Sequence, residues 1–348
     1  MATHPYLSNI SPEKEISVVD LLRQRFRASP PAISPADVDL SGKTAIITGG
    51  SSGLGFHCGT ELFKLGLDRL IITCIAGDEA KLKAAEVALT LTIGKSIGTT
   101  TEVWPLDLSN YDSITSFVDR VKTLDRIHYI ILNSDAVNSD FEQNASTKHE
   151  NMLQVNYISN ALLCILLLPI LREKKDGTPT RVVWVTADSR ASFKEDFTTP
   201  IFAALDEQPV RWDFAQRYAM TKLLCQLFIV ELTKRVPPSV AVVTAVNPGL
   251  CRGTNLYRAM KGIPGIMKAI TNRIVSRSSK VGARELTDAA VKHGEELHGQ
   301  YLMHCKLKPM APLTNTPDGA ELSDMLWVEL IQELAPFDAG KAVAEMGV

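Results

Sequence analysis

Short apolar runs and helical patterns alternate along this chain from Gly42 onward, and that alternation is its strongest constraint. Strand-like runs occupy 44–47, 70–75, 102–104, 129–132, 182–186 and 240–246, with a weaker run near Tyr301. Helical patterns fill the intervals at 53–65, 79–91, 114–124, 149–171, 212–235 and 280–293. Two parallel strands need a long crossover between them, and a crossover helix must cover a face of the sheet. Several runs are apolar throughout, as strands buried on both faces are. The expected fold is α/β: one doubly wound parallel sheet with helices on both faces, in a single domain.

The first strand runs into a turn with glycines at 49, 50, 53 and 55, and a helical pattern follows. Small residues there let the backbone approach a pyrophosphate, and the helix N-terminus offers free N–H groups at the positive end of its dipole. The same segment formally matches a Gly-x-Ser-x-Gly nucleophile elbow. Its place after the first strand, with no upstream sheet and no His-Gly-Gly segment, argues for the nucleotide reading. In such sheets ligands bind beyond the C-terminal ends of the strands. That singles out 48–55, 76–78, Asp107, 133–136, 186–189 and 247–252.

The 348 residues are 45% hydrophobic and 22% charged, with a formal net charge of −2. A large core is therefore expected, and no global charge draws the chain to nucleic acid or an anionic membrane. Cysteines 58, 74, 164, 225, 251 and 305 are scattered with no Cys-x-x-Cys pair. They read as small core residues in a reducing compartment. The histidines show no metal-ligand spacing, so no metal site is expected. No basic region followed by an apolar core marks a secretory signal, and a cytoplasmic location is expected. The most apolar stretch, 161–171, is too short for a bilayer and contains Pro169. Residues 1–40 read as a helical extension, starting at Ser11-Pro12-Glu13, with a Pro-rich linker. Residues 41–310 form the dinucleotide-binding catalytic domain, and 311–348 a helical tail.

Tyr218 and Lys222 lie four residues apart in a helical pattern, so both side chains share one face. A nearby ammonium stabilises a phenolate and lowers a pKa that is otherwise about 10. Tyrosine then becomes a usable general acid or base near neutrality. The pair follows the fifth strand, some way downstream of the glycine turn, which raises it above a solvated helix face.

With these features in order, the chain from about Gly42 to Leu302 resembles the short-chain dehydrogenase/reductase family, whose fold is of the Rossmann type. The resemblance rests on the 48–55 turn (family pattern Thr-Gly-x-x-x-Gly-x-Gly), Asp107-Leu108-Ser109, Asn156 in Gln-Val-Asn-Tyr, Tyr218-x-x-x-Lys222, and Asn247-Pro248-Gly249. The stretch 298–302 and Trp327 in an amphipathic helix look similar to fungal members acting on lipophilic secondary metabolites. The resemblance implies that Gly49, Gly53 and Gly55 hold the pyrophosphate, with Thr48, Ser51, Ser52 and Leu54 also binding the dinucleotide. Asp107 and Leu108 would lie at the adenine, Asn133 at the adenosine ribose, and Pro248 and Gly249 at the nicotinamide. Lys222 would hold the nicotinamide ribose, Tyr218 exchange the substrate proton, and Asn156 hold a relay water. NADP(H) is implied ahead of NAD(H). A matching helix at 161–171 often packs across a subunit interface in the family, so a homodimer is implied.

Two departures qualify the resemblance. The family's Asn-Asn-Ala-Gly reads Asn133-Ser134-Asp135-Ala136, which brings a carboxylate beside the cofactor cleft. The usual Val-Ser-Ser reads Val185-Thr186-Ala187, which puts Ala187 at the catalytic serine position. Thr186 or Ser189 would have to supply the hydroxyl. After the second strand no clear phosphate-binding cation appears; the nearest acid is Asp78, and Lys81 and Ser52 are the candidate phosphate partners. Residues 250–275 read as a substrate-covering loop with an apolar inner side, implying a lipophilic substrate. The expected function is a carbonyl reductase or alcohol dehydrogenase. A non-redox cyclase, isomerase or dehydratase on the same scaffold is the alternative, and a binding protein with a vestigial site is the third reading.

Overall fold

The computed structural model describes residues 29–75, 83, 84, 86, 87, 100–188, 200–253 and 276–347. The helix expected within residues 1–40, most of the pattern at 79–91, and 254–275 of the loop lie outside the described residues.

The first half of the chain forms β1 (Thr44–Ile47), α1 (Gly53–Lys64), β2 (Arg69–Cys74), β3 (Thr100–Pro105), α2 (Tyr111–Val121) and β4 (Tyr129–Leu132). Then comes α3, built from Asn151–Leu153, a π-turn at Gln154–Ile158 and the long segment Ser159–Glu173. β5 (Thr180–Val185), α4 (Ile201–Asp206), α5 (Phe214–Thr233) and β6 (Ala241–Asn247) follow. A two-residue pair, β7 (Cys251–Arg252) and β8 (Arg277–Ser278), leads into α6 (Ser279–Val291). The chain continues with β9 (Tyr301–Met303), β10 (Lys306–Lys308), α7 (Pro317–Glu333) and α8 (Ala339–Ala344).

The main sheet has eight strands in the order β3-β2-β1-β4-β5-β6-β9-β10. Every pair in it is parallel except β9–β10. The expected doubly wound, Rossmann-type sheet is therefore present. The chain crosses back between β1 and β4, so the switch point lies at their C-terminal ends. Side chains alternate between two cores, as a period of two requires. Ile46, Ile71, Ile130, Val182 and Val243 enter the core under α2, α3, α5 and α7. Ala45, Ile47, Leu70, Ile72, Ile131, Val183 and Val242 enter the core under α1 and α6. The edges are charged, which discourages further strand pairing. On β3, Glu102 pairs with Arg69 at 2.7 Å; on β10, Lys306 and Lys308 flank Leu307.

Helix α3 runs through Pro169 instead of ending there. The missing N–H costs a backbone hydrogen bond. Burial of Leu167, Leu168, Ile170 and Leu171 around the proline holds the helix together. Asn151–Glu173 is long and apolar enough to cross a membrane, but 83% of its apolar window is buried inside the protein, as in a core helix. α8 packs on α3, and α7 on α5. At that junction Phe228 of α5 lies edge-on to Trp184 of β5 at 5.3 Å and stacks on Trp327 of α7 at 5.9 Å.

A buried polar cluster fastens α7 to the opposite flank. His149 Nδ1 lies 2.7 Å from Asp206 Oδ2 of α4, and its Nε2 lies 3.3 Å from Glu333 Oε1 of α7. Asp206 also accepts from the Glu150 N–H at 2.7 Å, and Tyr111 Oη donates to Glu333 at 3.1 Å. Burial opposes the charged imidazole, but the Asp206 and Glu333 carboxylates outweigh it and carry the His149 pKa up to about 9. A pKa raised on folding means that the folded state binds the proton more tightly. The stabilisation is complete below the ordinary value of about 6.5 and is lost as pH rises through about 9. The melting temperature should therefore fall between pH 7 and pH 9.5, and His149→Gln should flatten that slope. An unchanged slope in the variant would remove His149 as its cause.

Candidate active site

The glycine turn joins β1 to α1 at the switch point. Gly49 and Gly53 have φ of +62° and +60°, a region that L side chains rarely adopt. A Cβ on Gly55 would lie 2.8 Å from the Gly49 carbonyl oxygen and 2.9 Å from Asn133 Nδ2. Thr48, fully buried, locks this turn to the end of β4: its Oγ1 accepts from the N–H groups of Asn133 at 2.9 Å and Ser134 at 3.0 Å. The Asn133 amide donates to the Thr48 carbonyl at 2.9 Å. Helix α1 has no acidic residue in its first turn, and the Ser52 side chain does not cap it. An uncapped helix N-terminus behind a close-packed glycine turn fits an anionic dinucleotide.

The other residues implied by the resemblance lie on the loops after β3 and β6. Asp107 Oδ1 accepts from Ser109 N–H and Oγ at 2.9 and 2.6 Å, which shapes the loop after β3. Leu108 is buried beside it. Pro248 and Gly249 follow β6; Gly249 takes a φ of +71° and its N–H donates to Asn247 Oδ1 at 2.8 Å. Ile75, just after β2, is exposed to solvent. Asp78 and Lys81 lie outside the described residues.

Helix α5 carries Tyr218 and Lys222. Asp213 caps its start, accepting from the N–H groups of Ala215 and Gln216. Lys222 is fully buried. Its Nζ donates to the Val185 carbonyl at 2.8 Å and forms an ion pair with Asp135. Tyr218 Oη donates to the other Asp135 oxygen at 3.2 Å. The Lys222 Nζ sits 5.5 Å from the centroid of the Tyr218 ring. One carboxylate thus bridges phenol and ammonium.

Asn156 sits in the π-turn of α3, a local widening of the helix that often serves functional sites. Its Oδ1 accepts from the Ala136 N–H at 2.7 Å and its Nδ2 donates to the Ala136 carbonyl at 3.0 Å. The same Nδ2 reaches Thr221 Oγ1 at 3.2 Å. Asn156 therefore clamps the Asp135–Ala136 loop against α5 between Tyr218 and Lys222.

The strand-five candidates divide. Thr186 is 2% exposed, its Oγ1 faces the Val246 carbonyl at 3.5 Å, and Ser189 lies outside the described residues. Ala187 offers no hydroxyl; its carbonyl accepts from Gln226 Nε2 at 3.0 Å. The Gln226 Oε1 in turn accepts from the Ala311 N–H at 2.7 Å, fastening the chain beyond β10 to the end of β5. Sequence reasoning passed over Gln226. Its position one turn beyond Lys222, on the same helix face, was the available signal.

Known proteins share this organisation. The short chain dehydrogenase family model matches residues 43–204. The short-chain dehydrogenase fogG of Aspergillus ruber is 40% identical over 337 residues, covering 94% of this chain and 95% of its own. The chain belongs to the short-chain dehydrogenases. A second family member, the short chain dehydrogenase/reductase mfmJ of Annulohypoxylon moriforme, is 36% identical, with 89% of this chain and 90% of that relative covered. Among solved structures, the Pseudomonas aeruginosa RhlG/NADP active-site complex matches with a TM-score of 0.56 at 18% identity, over 76% of this chain and 95% of that one. At that identity the likeness concerns the fold. This short-chain dehydrogenase is an enzyme of a family that binds nicotinamide cofactors.

Proposed function

We propose that this short-chain dehydrogenase is an NADP(H)-dependent carbonyl reductase or alcohol dehydrogenase acting on a lipophilic small molecule. The bridged group of Tyr218, Asp135 and Lys222, clamped by Asn156 beside the glycine turn, carries the reading. The residues of the 48–55 turn, with Asp107, Leu108, Asn133, Pro248 and Gly249, would hold the dinucleotide. When bound, it supplies or takes up the hydride. Tyr218 Oη would deliver the proton to the substrate oxygen in reduction, or remove it in oxidation. Lys222 would hold a ribose and balance charge on the phenol. Asn156 would hold the loop and a relay water. NADP(H) is preferred to NAD(H) because solved relatives include complexes described as NADP- and NADPH-bound.

Ala187 supports a second reading, a non-redox cyclase, isomerase or dehydratase. Loss of one preorganised donor to a developing oxyanion typically costs about 10²–10³ in rate, and that penalty vanishes if no such oxyanion forms. A cytoplasmic location and a homodimer complete the proposal. Helix α3 offers little free surface for that dimer, because α8 and the core of this chain cover much of it.

Incubation with NADPH and a panel of lipophilic ketones tests the choice. The redox reading expects one NADPH consumed per alcohol formed. A product of unchanged oxidation state, made without cofactor consumption, would overturn it in favour of the second.

A further inference from the structure

The two departures from the family pattern differ in consequence. Ala187 removes a hydroxyl, whereas Asp135 adds a carboxylate, and the structure sets that carboxylate on both members of the acid–base pair. Asp135 stands where the family pattern has alanine, on the loop that Asn156 fixes from both sides of the Ala136 peptide.

The electrostatics of the site make that addition consequential. Lys222 is fully buried, and an ammonium removed from water needs a counter-ion and acceptors. Val185 supplies a carbonyl and Asp135 supplies the charge. The Asp135 side chain is 13% exposed, so solvent screens it little. Lys222 from the same helix and Asp135 from the loop after β4 both face the phenol. Cys225, one turn beyond, lies near the pair and is neutral, since burial pushes its thiol up to about 12. Asn156 on α3 carries no charge. An ammonium alone would draw the phenol toward phenolate. A carboxylate accepting the phenolic proton opposes that pull, because it repels the phenolate and accepts only from the protonated form.

We propose that Asp135 is a positioning residue of the acid–base group: its carboxylate holds the Lys222 ammonium and the Tyr218 hydroxyl in one hydrogen-bonded unit and keeps the phenol in its donor form. The inference rests on the reading of Tyr218 as the acid–base residue. In this unit the carboxylate accepts directly from the phenol.

The test needs neither substrate nor turnover, so it stands apart from the choice between redox and non-redox chemistry. Tyrosine ionisation is followed by ultraviolet difference absorbance in the full-length, cofactor-free protein, and the Tyr218 step is identified as the one missing from Tyr218→Phe. In Asp135→Asn the step is expected about one pH unit or more lower than in the parent. A second comparison covers the case in which Asp135→Asn leaves the buried lysine unpaired and fails to fold. Lys222→Met is titrated against the double variant Asp135→Asn/Lys222→Met, and the double variant is again expected to titrate lower. A midpoint that does not move in a folded Asp135→Asn protein, or that is equal in the second pair, overturns the proposal. Loss of the shift together with full ketone turnover would leave the redox reading standing without it. A clear shift in a protein that reduces no ketone would do the reverse.

Discussion

Tyr218→Phe is expected to lower turnover by about 10²–10⁴-fold, the range that a positioned general acid or base contributes. The variant removes one oxygen atom and keeps the ring that lies beside Lys222. It also removes the hydrogen bond to Asp135, while Lys222 retains both Asp135 and the Val185 carbonyl. Folding should therefore be little affected. Dinucleotide affinity, measured by fluorescence titration, should stay close to that of the parent, because the glycine turn and Lys222 are intact. The loss should appear in kcat more than in KM, as for a group acting on the transition state. A Tyr218→Phe protein with full redox activity would sink the assignment. Loss of affinity in parallel with kcat would make Tyr218 a binding group.

Phe228→Ala has the largest expected effect on stability, about 3–5 kcal/mol. Phe228 is 2% exposed and its ring meets Trp184, Tyr157 and Trp327. Those three partners belong to β5, α3 and α7, so one truncation opens a cavity where the sheet, its covering helices and the C-terminal tail converge. The surrounding rings are large and held from several sides, which limits collapse into the void. Urea unfolding with both far-ultraviolet and tryptophan signals measures the cost. Phe228→Leu should lose far less, because it keeps most of the volume. A truncation cost near that of an ordinary surface change would show that α7 is not packed there in solution.

Much of the fold was legible because strands buried on both faces announce themselves as unbroken apolar runs. The runs at 44–47 and 129–132 coincide with β1 and β4, and the others differ from the observed strands by a residue or two. β10 was missed because Lys-Leu-Lys carries no apolar signal; it exists by pairing with β9 at an exposed edge. α4 is too short to show a period. Pro169 reads as a break in the apolar stretch, yet the packed core around α3 overrides it.

The site was legible where residues are close in sequence. Tyr218 and Lys222 share a face by spacing alone, and the glycine turn identifies itself. The Asp135 bridge was not legible, because it depends on how a loop after β4 meets α5, a contact between residues far apart in sequence. The residue types supplied a hint, a carboxylate in a segment where the family has none, but only packing shows that it bridges the pair. The hydroxyl of Thr186 illustrates the converse. A suitable residue at the right strand end turns toward a β6 carbonyl.

The covering of α3 and α5 by α7 and α8 also bears on how the protein is made. Both apolar helices leave the ribosome well before residues 317–344, which close over them. For that interval a nascent chain displays Trp184, Phe228 and the neighbouring leucines with no cover of its own, the kind of surface that recruits chaperones or drives aggregation. Only a chain translated past Pro317 can seal the layer over α3 and α5.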